Sequence, residues 1–134
     1  MIIAHVINPV NVDIDNLSYL YQTQPITFKS MFESKIYSEN ASKDLVIELY
    51  SINYAEDDSI IPDYFIKLPH INKSTKDIYP GISIKKLPFI QDIFNSIKKY
   101  IQADYYIYSN SDIIVHKKFY EFIYDNIMKY NYDS

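Results

Sequence analysis

Cysteine is absent from the 134 residues. With it go a disulfide framework, a thiolate zinc site and a cysteine nucleophile. Arginine is absent too, and all thirteen basic residues are lysine. An anion would therefore be held by lysine, by backbone N–H groups or by a metal, not by a guanidinium fork. Glycine occurs once, at Gly81, so neither the glycine-rich dinucleotide fingerprint nor a P-loop can be formed. Long apolar runs are missing as well: residues 1–7 and 105–108 are too short to span a bilayer. The N-terminus has no basic stretch, and His5, Asn8 and Pro9 interrupt its apolar run. It does not read as a signal peptide, and a cytoplasmic location is the expectation. The net charge is −4, with lysines interleaved among Asp and Glu. That argues against nucleic acid, which calls for a basic stripe.

The length fits one domain over residues 1–134. Residues 1–7 read as a buried strand stopped by Asn8-Pro9, where proline removes a ladder donor. An irregular entry follows over 11–24, with one helical turn near 17–21. Pro25 then suits the first position of a helix over 25–38, with Thr23 as cap and Phe28, Met31, Phe32 and Ile36 on one face. Residues 44–52 carry apolar side chains on both faces, as a strand covered on both sides of a parallel sheet does. A short third strand is expected over 64–68 and a polar loop over 69–83. Pro88 opens the clearest helix, with Ile90, Ile93, Phe94, Ile97 and Ile101 on one face and Lys98-Lys99 in its last turns. A fourth strand over 104–109, an extended piece over 113–115 and a helix over 117–130 complete the chain. The expected fold is α/β: a mainly parallel four-stranded sheet in the order 3-2-1-4, with helices on both faces.

In open α/β sheets, ligands bind beyond the carboxyl ends of the strands. That rule selects Asn8 and Pro9 after the first strand, Asn53, Tyr54, Glu56 and Asp57 after the second, and Asn110, Ser111 and Asp112 after the fourth. Oxygen-bearing side chains two apart in an extended segment point the same way, so Asn110 and Asp112 can address one hard cation. Asn-Ser-Asp is also a good turn sequence. His5 reads as a hydrogen-bonded core or flank residue, and His70 and His116 have no spacing that makes a two-histidine metal site.

Residues 103–113, preceded by the amphipathic helix from Pro88, resemble the DxD-bearing segment of the GT-A glycosyltransferases, the nucleotide-diphospho-sugar transferase superfamily. The likeness extends to Asn8-Pro9, to Gln24-Pro25-Ile26-Thr27 opening a helix, and to Lys85-Lys86-Leu87-Pro88 before the later one. The resemblance implies a truncated GT-A, Rossmann-like fold that binds a nucleotide sugar through a divalent metal, Mn or Mg, at Asn110 and Asp112. It implies further that Asn8, Pro9, Asn53, Tyr54 and Asp57 contact base and ribose, and that Lys85 or Lys86 meets a phosphate. Two departures stand out. Asn110 replaces the first aspartate of the motif, and an amide oxygen is a weaker ligand than a carboxylate. The chain also ends at Ser134, without the half that binds acceptor in the family. The expectation is thus a binding half-domain, incomplete for catalysis unless further chain, a second chain or a homo-oligomer completes it. A non-catalytic protein-interaction module on the same fold is the alternative.

Overall fold

The computed structural model describes residues 1–12, 19–81 and 86–130. Its strands are β1 (Ile2–Asn8), β2 (Val46–Ser51), β3 (Ile66–Lys67) and β4 (Tyr105–Asn110), and its helices are α1 (Leu20–Ala41), α2 (Thr75–Ile78), α3 (Ile90–Tyr100) and α4 (Phe119–Tyr130). A 3-10 helix, Ala55–Ile60, links β2 towards β3. The four strands pair in the order β3-β2-β1-β4, and every pairing is parallel. The order and the sense are those the sequence pattern predicts.

β1 is the apolar centre of the sheet, buried from Ile3 to Ile7. Ile3 stands opposite Ile47 on one side and Tyr105 on the other. Alternation splits the core into two layers. Ile3, Ile7, Leu45, Ile47 and Leu49 pack with Phe28 and Met31 of α1 and with Tyr120 and Ile127 of α4. Ala4, Val6, Tyr50 and Ile52 pack with Ile93 and Ile97 of α3. The two crossovers leave in opposite directions, so right-handed connection puts α1 and α3 on opposite faces.

Several local expectations are corrected. α1 begins at Leu20, so Pro25 lies inside it rather than opening it, and Thr23 is no cap: its hydroxyl donates back to the Tyr19 carbonyl. The turn around Pro25 is anchored from outside the helix. Gln24, 2% exposed, accepts the Val10 N–H through Oε1 at 2.9 Å and donates through Nε2 to the Val10 carbonyl at 2.7 Å. Gln24→Ala should cost about 1–3 kcal/mol in urea denaturation, because both main-chain groups of Val10 lose their partner. Ile36 is exposed, and the buried face of α1 includes Thr27, Ser34 and Ser38. Two hydroxyls of α1 tie α4 and its approach to it, Ser30 accepting the Val115 N–H and Ser38 the Glu121 N–H, while those of Thr27 and Ser34 are buried with no hydrogen-bond partner among the described residues. Val46, Ile90 and Phe94 are likewise exposed, although the pattern assigned them to buried faces. α4 starts at Phe119 rather than at residue 117. Among the described residues, no helix is long and apolar enough to cross a membrane.

Candidate functional site

From β1 the chain crosses to β2 and β3 on one side, then returns to lie on the other side as β4. The strand order therefore reverses between β1 and β4, and the crevice beyond their carboxyl ends is where such sheets receive ligands. Asn8 and Asn110 are register partners at that edge. Pro9 is buried directly after Asn8. Asn110 is exposed, Ser111 is buried in the turn, and Asp112 is half-buried. The Tyr19 hydroxyl, just ahead of α1, donates to Asp112 Oδ2 at 2.9 Å. Asp112 is thus at the edge with one partner of its own, well ahead of α4. Asn8 meets Asn110 through the backbone register, but its side chain is committed elsewhere: Nδ2 donates to the Ile52 carbonyl at 2.6 Å.

The end of β2 is more deeply engaged with the protein itself. Asn53 is 1% exposed and donates through Nδ2 to the Tyr54 carbonyl at 2.8 Å and to Asp58 Oδ1 at 2.9 Å. Its Oδ1 meets no hydrogen-bond partner among the described residues. The Tyr54 hydroxyl donates to the Lys73 carbonyl at 3.0 Å, and burial pushes its pKa up to about 12. Lys86 Nζ stands 3.9 Å from the centre of the Tyr54 ring and pairs with Glu56, whose carboxyl is held below the usual range by that bond. Asp57 is buried and accepts the Asn11 N–H at 2.7 Å, which ties the loop after β1 to the segment after β2. Desolvation raises the Asp57 carboxyl, and the Asn11 N–H works against that rise. Lys85 lies outside the described residues.

Asn8, Asn110 and Asp112 therefore gather at the strand-order reversal, while Asn53, Tyr54 and Asp57 form a second group one strand over, held by internal hydrogen bonds. Sequence reasoning missed Tyr19 and Gln24, which sat in a stretch whose polarity looked like a loop. It also missed the Asp58–His70 pair, 3.0 Å apart at the far edge, which no spacing signals. His5 is the hydrogen-bonded core residue that was expected, with Nδ1 2.8 Å from the Tyr120 hydroxyl and Nε2 2.8 Å from Ser109 Oγ.

Among the described residues, no group of three or more His, Asp and Glu gathers to hold a metal. One carboxylate and one amide oxygen cannot cage a cation. Ser111 and Asp112 lie in the turn after β4, so the extended spacing expected to aim both side chains at one cation ends at Asn110, and Mg²⁺ or Mn²⁺ would need phosphate oxygens and water to complete its shell there. Asn110 and Asp112 are the residues that would hold it. No known family model, no curated protein and no solved structure matches the chain, so its function rests on this geometry.

Proposed function

We propose that this chain binds a nucleotide-diphospho-sugar, with the diphosphate at the carboxyl ends of β1 and β4 and a divalent cation shared with Asn110 and Asp112. One observation carries the reading. The two strands that flank the order reversal end in register at Asn8 and Asn110, and Asp112 stands just beyond with its carboxylate bonded to Tyr19. When bound, the cation neutralises diphosphate charge that a chain without arginine cannot neutralise bidentately. Tyr19 orients the Asp112 carboxylate, and Asn11, pinned by Asp57, sets the loop beside it. Glycosyl transfer from such a donor breaks the bond between the anomeric carbon and the diphosphate oxygen, and the electron pair leaves with the nucleoside diphosphate. The acceptor oxygen bonds to that carbon and its proton passes to a base. This chain supplies the donor side, and further chain or a second copy completes it as a transferase.

A non-catalytic interaction module is the second reading. It is favoured by the internal commitment of Asn8, Asn53 and Asp57 together with the exposed rings of Phe94, Tyr106 and Phe122. Titration calorimetry with UDP and GDP sugars, with and without Mn²⁺, separates the two. Wild type should bind only with metal. Asp112→Ala should abolish that binding while leaving a single cooperative urea transition, shifted by no more than about 1 kcal/mol, since half-buried Asp112 gives up the Tyr19 bond. Absence of nucleotide binding at millimolar metal would hand the fold to the interaction reading.

A further inference from the structure

The sheet has two edges, and they are unlike. At one, β3 is two residues long and ends in Lys67, and a strand so short that carries lysine offers another strand little to pair with. At the other, β4 runs for six residues, Tyr105–Asn110, with no charged side chain and no proline. Asp104 donates its N–H to the Ile2 carbonyl. By alternation the even-numbered residues of β4 turn their main-chain groups to β1, while Ile107 and Ser109 turn theirs outward, where no strand stands among the described residues.

The core is open at the same edge on both faces. Tyr105 and Ile107 pack against one layer beside Phe119 and Ile123 of α4, and Tyr108 against the other, yet none of the five is buried. One strand further in, Ile3, Ala4, Val6 and Ile7 are 0% exposed. On the α3 face a groove of about 410 Å³ opens beside Phe94, Lys98, Tyr106 and Tyr108. The Tyr106 ring is held in place there, its hydroxyl accepting the Ala103 N–H at 3.1 Å and donating to the Ile101 carbonyl at 3.3 Å.

We infer that β4 pairs with β4 of a second copy, antiparallel about a two-fold axis at Ile107, so that two sheets join into one. The strand is complementary to itself in that register. Ile107 faces Ile107 of the second copy through its outward main-chain groups, and Ser109 comes opposite Tyr105. On the α3 face Tyr106 meets Tyr108 of the second copy, an aromatic cross-strand pair made twice and set at the groove. Each copy carries a net charge of −4, but the facing strands set no like charges against each other. Phe94 and Tyr106 are half exposed, and covering them with the visible parts of Tyr105, Tyr108 and Phe119 hides on the order of 350 Å² per copy at ~200 Å² a ring. Ile107, Ile123 and the paired main chain bring that to roughly 500–600 Å², the size of a weak but specific interface. The inference stands apart from the nucleotide reading.

A sedimentation-equilibrium series from ~5 to ~500 μM should show monomer passing to dimer, with half-dissociation in the tens of micromolar. Tyr106→Lys places a lysine from each copy in the junction and should weaken the dimer at least about tenfold, with the far-UV circular dichroism of the wild type retained. Register is read separately, because the chain has no cysteine and Ile107→Cys introduces a single thiol. Facing Cα atoms of a hydrogen-bonded antiparallel pair lie about 5.5 Å apart, within disulfide reach. Mild oxidation should therefore link Ile107→Cys into a covalent dimer and leave Ile36→Cys, exposed on α1, unlinked. A wild type that stays monomeric at the highest concentration, or a folded Tyr106→Lys variant that dimerises as well as wild type, would overturn the inference. So would linkage of Ile107→Cys no faster than that of Ile36→Cys. If Tyr106→Lys does not fold, the two cysteine variants decide alone, since neither adds charge to the edge.

Discussion

Replacement of Ile97 by alanine is expected to lower the unfolding free energy by about 2–5 kcal/mol, read from the shift of a urea transition. Ile97 lies in the middle of α3, is 6% exposed, and packs with Ile93 and Ile101 against Val6, Tyr50 and Ile52. Alanine removes three carbons from a layer one helix thick, and the fixed backbone of β1 cannot close the gap, so a cavity term adds to the lost transfer energy. Phe94, one turn before on the same helix, is half exposed. Phe94→Ala should stay much nearer to wild type, and the contrast between the two variants checks which face of α3 is buried. A loss of less than about 0.5 kcal/mol for Ile97→Ala, the size of an ordinary surface change, would refute the packing.

α3 also shows how far periodicity reaches. The sequence assigned Ile90, Ile93, Phe94, Ile97 and Ile101 to one face, and Ile93, Ile97 and Ile101 are buried while Ile90 and Phe94 are not. Spacing marks the direction of a face but not its width, which depends on how far the neighbouring strand extends. The 3-2-1-4 order was legible because it needs little more than the strand runs, the helices between them and the handedness of crossovers. α1 was less legible. Its buried face is built from Gln24, Thr27, Ser34 and Ser38 beside Phe28 and Met31, and hydroxyls and amides give no hydrophobic signal. Pro25 reinforced the error, since proline is commonest at a helix start. The bonds from Gln24 to Val10, a long-range pairing no local pattern encodes, anchor the turn that carries the proline.

The candidate site was legible in part for the same reason. Strand ends follow from strand runs, so Asn8, Asn110 and Asp112 could be named and their edge predicted. Which side chains are turned to that edge depends on partners from other elements. The Ile52 carbonyl takes the Asn8 amide, the Asn11 N–H takes Asp57, and the Tyr19 hydroxyl finds Asp112 across the sheet. None of those partners has a spacing that sequence could reveal.

The stability of the protein should fall steeply on mild acidification, and His5 supplies an identifiable share. The ring is 1% exposed, at the centre of β1, with Tyr120 on Nδ1, Ser109 on Nε2 and the Phe119 ring near its face. Neither hydrogen-bond partner is a charged group, so nothing there compensates an imidazolium, and burial pulls the His5 pKa from its ordinary value of 6.5 down to about 4. Between those two values the unfolded chain binds the proton and the folded chain does not, so stability rises with pH across that window. The contribution is complete above pH 6.5 and is lost as pH falls towards 4. Going from pH 7.5 to 4.5 should remove ~2.5 kcal/mol through this one group. Carboxylates titrate in the same range, so the measurement is a difference. His5→Gln keeps an amide able to bond both hydroxyls but cannot take the proton. Urea midpoints of wild type and His5→Gln should diverge least at pH 4.5 and most at pH 7.5, with the wild type losing the larger part of its stability. Parallel pH profiles for the two proteins would mean that the buried imidazole is not neutral, and the hydrogen-bonded link between β1, β4 and α4 would have to be read another way.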